Sequence, residues 1–220
     1  MENSEGLSQH VYSYLLSQIL TGNLKPGEKI AEARIAQEFS TSRTPIREAM
    51  RKLESQGLIQ IFPKRYAQVI SFSEKEIQDI GMIRVSLDIL SIKLVSLYGN
   101  KAELLKLKNI AQECLQAFRD KDGVKRRKLD SDFHTELCRM SKNTLLFNMQ
   151  EELSLKIQFI LMHNDFKSTN DEKHLKEHIE IADALLEKDV EKALKLDIKH
   201  LSEFYCLEID SPEDFFLKNA

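Results

Sequence analysis

The stretch STSRTPIREAMR, residues 40–51, sets Arg43, Arg47 and Arg51 four residues apart, behind a head of small hydroxyl residues and Pro45. Read as a helix over 44–56, it puts Ile46, Ala49, Met50 and Leu53 on one face, the spacing of a buried stripe. Arg47 and Arg51 then lie together on the other face. Thr44 is expected to cap the N-terminus, and Pro45 to take the first helical position, where no amide hydrogen bond is lost. Free amides and the helix dipole at such an N-terminus attract phosphate. An arginine fork matches O6 and N7 of guanine in the major groove. Taken alone, the stripe reads first as a solvated basic face, as most charge runs are; its surroundings reverse that reading.

Before it, residues 7–21 carry a helical stripe of Leu7, Val11, Tyr14, Leu15, Gln18 and Ile19. The segment TGNLKPGEKI, residues 21–30, reads as a turn at Gly22, Pro26 and Gly27, and a short helix is expected at 31–39. After it comes GLIQIFPKRYAQVI, residues 57–70. Gly57 stops the helix, and LIQIF and AQVI flank PKR as a two-stranded hairpin. Three helices and a hairpin make a winged helix-turn-helix over residues 1–70, with 44–56 as its recognition helix. Lys64 and Arg65 at the hairpin tip are placed to meet phosphate or the minor groove.

The segment SFSEKEIQDI, residues 71–80, marks a restart, with Ser73 and Glu76 spaced as a capping box. Only helical periodicity follows, with breaks near 98–101, 120–124, 141–144, 167–171 and 187–189. Six helices over 71–210 suffice for a bundle, and 211–220 form a tail. The expected fold is mainly α: an N-terminal winged helix-turn-helix plus a C-terminal all-helical bundle.

The net charge of −3 is not that of a protein coated in nucleic acid, but it is unevenly placed. Residues 1–70 carry +2 and the rest −5, a slightly basic head on an acidic body. Three cysteines at wide spacing, Cys114, Cys138 and Cys206, read as reduced thiols rather than a disulfide framework. No signal peptide opens the sequence, and no apolar run approaches the ~20 residues of a membrane span. A soluble cytoplasmic protein with no membrane partner is expected.

The helical body offers six positions of metal-ligand type: Asp130, His134, His163, His174, His178 and His200. In KLDSDFHTEL, residues 128–137, Asp130 and His134 share a face at the edge of the Leu129, Phe133 and Leu137 stripe, whereas Asp132 turns to solvent. His178 and His200 lie eleven residues before and after Asp189. In an antiparallel helix pair they stand level, roughly 16 Å from the turn. His178 falls inside an apolar arc and needs partners there. Asp130 and His134 would supply them, and His₃Asp suits a divalent transition metal. His174 and His178, at i and i+4, form a competing chelate, and Asp197 is a candidate to orient a ligand.

Two resemblances frame these residues. TGNLKPGEKIAEARIAQEFSTSRTPIREAMRKLESQGLIQIFPKRYAQV, residues 21–69, strongly resembles the DNA-binding domain of GntR-type bacterial transcription regulators, and SRTPIREA, 42–49, matches that pattern throughout. The resemblance implies that Ser42, Arg43, Thr44 and Arg47 contact DNA, with Arg34 and Arg51 as weaker candidates. Tyr66 and Ser40 stand where the family usually has glycine. Residues 73–207 resemble the FCD ligand-binding domain of the FadR subfamily. The matching segments are RVSLDILSIKLV (84–95), LDSDFHTEL (129–137), EHIEIADAL (177–185) and IKHL (198–201). This implies a metal on Asp130, His134, His178 and His200, zinc foremost, then nickel, manganese or iron. It also implies a cavity for a small carboxylate effector, with Arg84 at a position that can meet its charge; an interhelix ion pair is the other reading of Arg84. Lys93 and Val95 replace residues that are commonly small.

These expectations describe a homodimeric regulator, a repressor, that binds an inverted-repeat operator in double-stranded DNA and responds to a small carboxylate metabolite. It is not expected to be an enzyme. The alternatives are a sensor of the metal itself and, further off, a metallohydrolase using an open coordination position.

Overall fold

A computed structural model of the protein describes residues 2–62, 66–163 and 172–209. The chain divides into two compact units. The first comprises the described residues up to Phe72 together with Leu155–His163; the second comprises Ser73–Ser154 and the described residues from 172 onward. The division falls close to residue 70 but assigns Leu155–His163 to the first unit, where the sequence alone placed it in the body.

The first unit contains α1 (Glu2–Leu20), β1 (Lys29–Ile30), α2 (Glu32–Glu38), α3 (Arg43–Ser55), β2 (Ile59–Phe62) and β3 (Tyr66–Val69). β3 is central in an antiparallel sheet of order β1-β3-β2, with Ile59 opposite Val69, Phe62 opposite Tyr66 and Ile30 opposite Ala67. The wing is therefore three-stranded; a two-residue strand is too short to leave an alternating pattern. Its core joins Val11, Leu15 and Ile19 of α1, Ile35 of α2, and Ile46, Met50 and Leu53 of α3. Each of these larger side chains, when fully buried, contributes about 1.5–3 kcal/mol. Phe159, from the Leu155–His163 segment, belongs to the same core.

The recognition helix starts one residue earlier than expected. Ser42 is its N-cap residue, extended and without a side-chain cap bond, so Thr44 is not the cap and Pro45 is the third helical residue. Nothing is lost by this, because the first four helical amides have no partner within the helix.

The second unit contains α4 (Glu74–Tyr98), α5 (Lys101–Arg119), α6 (Gly123–Met140), the first half of α7 (Thr144–His163), α8 (Glu172–Leu186) and α9 (Val190–Tyr205). Ser73 and Glu76 form the capping box of α4. Asn100 and Glu103 form a second at the head of α5. α4 and α9 approach closely at Gly81, where an added Cβ would fall 2.4 Å from Tyr205 Cγ. α5, α6 and α8 meet around Cys114, Leu115 and Leu175. α4, α6 and α7 meet around Leu87, Cys138 and Leu146. This packing turns one face each of α4, α6, α8 and α9 into a common polar interior.

Candidate functional site

In the first unit, α3 presents its basic side to solvent. Ser42, Arg43, Thr44, Arg47 and Arg51 are exposed, as is Arg34 on α2, while Pro45, Ile46, Ala49 and Met50 are buried. Arg43, Arg47 and Arg51 line one concavity of about 520 Å³ with Glu32, Phe62 and Tyr66. Arg47 is not free: its Nε donates to Glu32 Oε2 at 2.9 Å. Tyr66 fits the wing by placing its ring 5.0 Å from that of Phe62 and beneath Lys29 Nζ. Ser40 takes the left-handed conformation, φ 48°, at the end of α2. The expected phosphate contacts Lys64 and Arg65 lie outside the described residues.

The second unit buries a cluster of imidazoles and carboxylates. His134 of α6, His178 of α8 and His200 of α9 are all at most 1% exposed, and each offers a donor atom within 4.8 Å of the others. His134 Nε2 and His178 Nε2 are 3.1 Å apart. The rings of His178 and His200 are 4.4 Å apart, so the two stand level as their distances from Asp189 require. Asp130 is 3% exposed. It belongs to none of the metal-type groups among the described residues. Its Oδ2 pairs with Arg84 at 3.4 Å, while Oδ1 lies 3.8 Å from His178 Nε2. His174 is buried and stacks on His200 at 3.9 Å. His163 belongs to the first unit, where its Nε2 meets the Ile19 carbonyl at 3.2 Å.

Two carboxylates that the sequence reading did not single out fix the rings. His134 Nδ1 contacts Asp88 Oδ2, and His200 Nδ1 meets Glu177 Oε2 at 3.0 Å. A carboxylate on Nδ1 holds the proton there and leaves Nε2 as the ligating atom. Glu177 also lies 3.4 Å from His174 Nδ1, but that nitrogen makes no hydrogen bond. Signals for both carboxylates exist in the sequence. Asp88 interrupts an apolar run between Leu87 and Ile89, and Glu177 follows His174 by three residues on one helix face.

The electrostatics favour ligation by neutral rings. Burial pushes His134, His178 and His200 well below the usual histidine range. Burial would raise the Asp130 carboxyl, but Arg84, followed by the histidines, holds it well below the usual carboxylate range. Burial raises Asp88 and Asp197. Two imidazole nitrogens at about 2.0–2.1 Å from a tetrahedral zinc stand about 3.3 Å apart, close to the His134–His178 separation. His178 Nδ1 is buried without a partner. The three imidazoles therefore fit a divalent metal, and Asp130 Oδ1 stands 3.8 Å from His178 Nε2. Arg84, 1% exposed, donates to Tyr205 Oη at 3.0 Å and keeps a buried Nε with no partner.

Comparison with known proteins finds a family match in each half of the chain. Residues 7–69 match the gntR family of bacterial regulatory proteins, and residues 79–203 match the FCD domain. The chain is 31% identical over 192 residues to the uncharacterized HTH-type transcriptional regulator YdhC of Bacillus subtilis (strain 168), covering 87% of this chain and 86% of that one. It is 25% identical over 203 residues to the HTH-type transcriptional repressor RspR of Escherichia coli (strain K12), covering 91% and 89%. A GntR transcriptional regulator from Rhodococcus sp. RHA1 has the same fold, with a TM-score of 0.78 at 19% identity over 90% of this chain and 95% of that one. The chain belongs to the GntR family: it is a DNA-binding transcription regulator whose helical half is an FCD domain.

Proposed function

We propose that this regulator is a homodimeric repressor whose grip on an inverted-repeat operator is controlled by a small carboxylate effector bound beside a metal in the FCD domain. The observation that carries this reading is the convergence of His134, His178 and His200, two of them with Nδ1 held by a carboxylate. Asp130, His134, His178 and His200 would hold the ion. Three neutral imidazoles and one carboxylate suit zinc best, with nickel, manganese or iron also compatible. Such an ion, when bound, supplies a positive anchor for a carboxylate. Arg84 sits beside Asp130 with its Nε unpartnered, which supports a role in holding the effector's charge.

On the operator, Arg43 and Arg47 would read base edges, and Ser42 and Thr44 would position the helix on phosphate. One recognition helix per chain calls for a two-fold dimer. Ile83, Leu90 and Leu97, exposed at seven-residue intervals on α4, offer an apolar stripe for it. The repressor sense follows relatives such as RspR, which is named a repressor. The test is operator binding by the full chain against a panel of small carboxylates, with and without a chelator. A carboxylate that releases DNA only from the metal-loaded protein supports the reading. Release by metal alone would make the protein a metal sensor instead.

A further inference from the structure

We propose that Asp88 and Asp197, with the Nδ1 side of His134, form a second cation site in the helical domain. It lies on the opposite side of the His134 ring from the site assigned above. The three residues come from α4, α9 and α6, and all are 0% exposed. Each offers a donor atom within 4.8 Å of the other two. Both carboxylate oxygens of Asp197 are buried with no hydrogen-bond partner. A buried polar group left unpaired is costly, and an uncompensated charge more so.

The neighbours do not remove that cost. Asp88 faces His134 Nδ1 and, at 3.9 Å, the Cys138 thiol. The cation that acts on both carboxylates is Arg84, but its hydrogen bonds go to Tyr205 and Asp130. A single proton shared between Asp88 and Asp197 would engage one oxygen of Asp197 and leave the other bare. A cation held between the two carboxylates can engage both oxygens, and His134 Nδ1 adds a third ligand. Two carboxylates and one imidazole suit a small dication of the manganese, iron(II) or zinc type.

The proposal rests on the first site only in sharing His134. With the first site alone filled, His134 keeps its Nδ1 proton against Asp88. An ion entering the second site displaces that proton and the one held by Asp88 and Asp197; both leave to solvent, and the ring, now an imidazolate, bridges the two ions.

The test is Zn²⁺ stoichiometry on the metal-free full chain, by elemental analysis after removal of excess ion. Wild type should hold two ions per chain, and Asp197→Asn and His178→Ala one each. Asp197→Asn matching wild type, at either one or two ions, overturns the second site. Loss of an ion in Asp197→Asn but not in His178→Ala upholds the second site while removing the first. Should Asp197→Asn fail to fold, anomalous scattering from zinc-loaded wild-type crystals decides. A peak between Asp88 and Asp197 upholds the proposal, and its absence overturns it.

Discussion

His134 and His178, on different helices and 44 residues apart, bring their Nε2 atoms to within 3.1 Å of each other in a buried interior. With His200 on α9, three helices share one ligand cluster, so an ion there ties the bundle together. An ion that binds only the folded chain stabilises it by about 2.7 kcal/mol at a hundredfold excess over Kd. Chelation should lower the melting temperature of the helical domain, and His200→Ala should have the same effect. His163→Ala should leave metal content unchanged, because His163 meets the Ile19 carbonyl in the first unit. Calorimetry with metal analysis on the same samples checks this.

Arg47 is held by Glu32 on α2, 2.9 Å away at the protein surface. Arg43→Ala and Arg47→Ala should each cost about 1–3 kcal/mol of specific operator binding if they read base edges. Glu32→Gln should act oppositely. It frees Arg47 and removes a negative charge from the binding face. An exposed ion pair is worth about 0.2–1 kcal/mol, so affinity should rise by up to about fivefold. Titration of labelled operator at fixed salt measures all three.

Ser40 carries a left-handed backbone at the end of α2. Its amide bonds the Gln37 carbonyl, and the next amide bonds that of Ala36, the pattern of a helix C-terminus that favours glycine. Ser40→Gly should stabilise the first unit by about 0.5–1 kcal/mol. A rise in its melting temperature without loss of operator binding is the expected result.

Gly81 gives α4 and α9 their close approach beside Tyr205, whose hydroxyl accepts from Arg84. Gly81→Ala should cost about 1–3 kcal/mol by overpacking. It should also displace Tyr205 and loosen the hold on Arg84. Thermal melts, with effector affinity measured on the surviving folded protein, test both consequences.

The fold was legible wherever periodicity was long. The six body helices, the recognition helix and the Ser73–Glu76 box are local patterns, and local patterns survive in a sequence. β1 was not legible, because Lys29 and Ile30 are too few to show a period. Nor was the membership of Leu155–His163, since an apolar stripe containing Phe159 does not say which core it enters. His134, His178 and His200 could be brought together by counting from one turn. Asp88 and Glu177 could not, because their roles depend on which ring nitrogen they face across helices. Lys64 and Arg65 fall outside the described residues.

In the proposed reading the FCD domain holds its ion on Asp130, His134, His178 and His200. Anomalous diffraction from crystals of the zinc-loaded protein tests it most directly. A peak is expected about 2.0–2.2 Å from one nitrogen each of His134, His178 and His200 and from an oxygen of Asp130. A peak held instead by His174 with His178, or by His174 with Glu177, would contradict it, as would no peak among the three imidazoles.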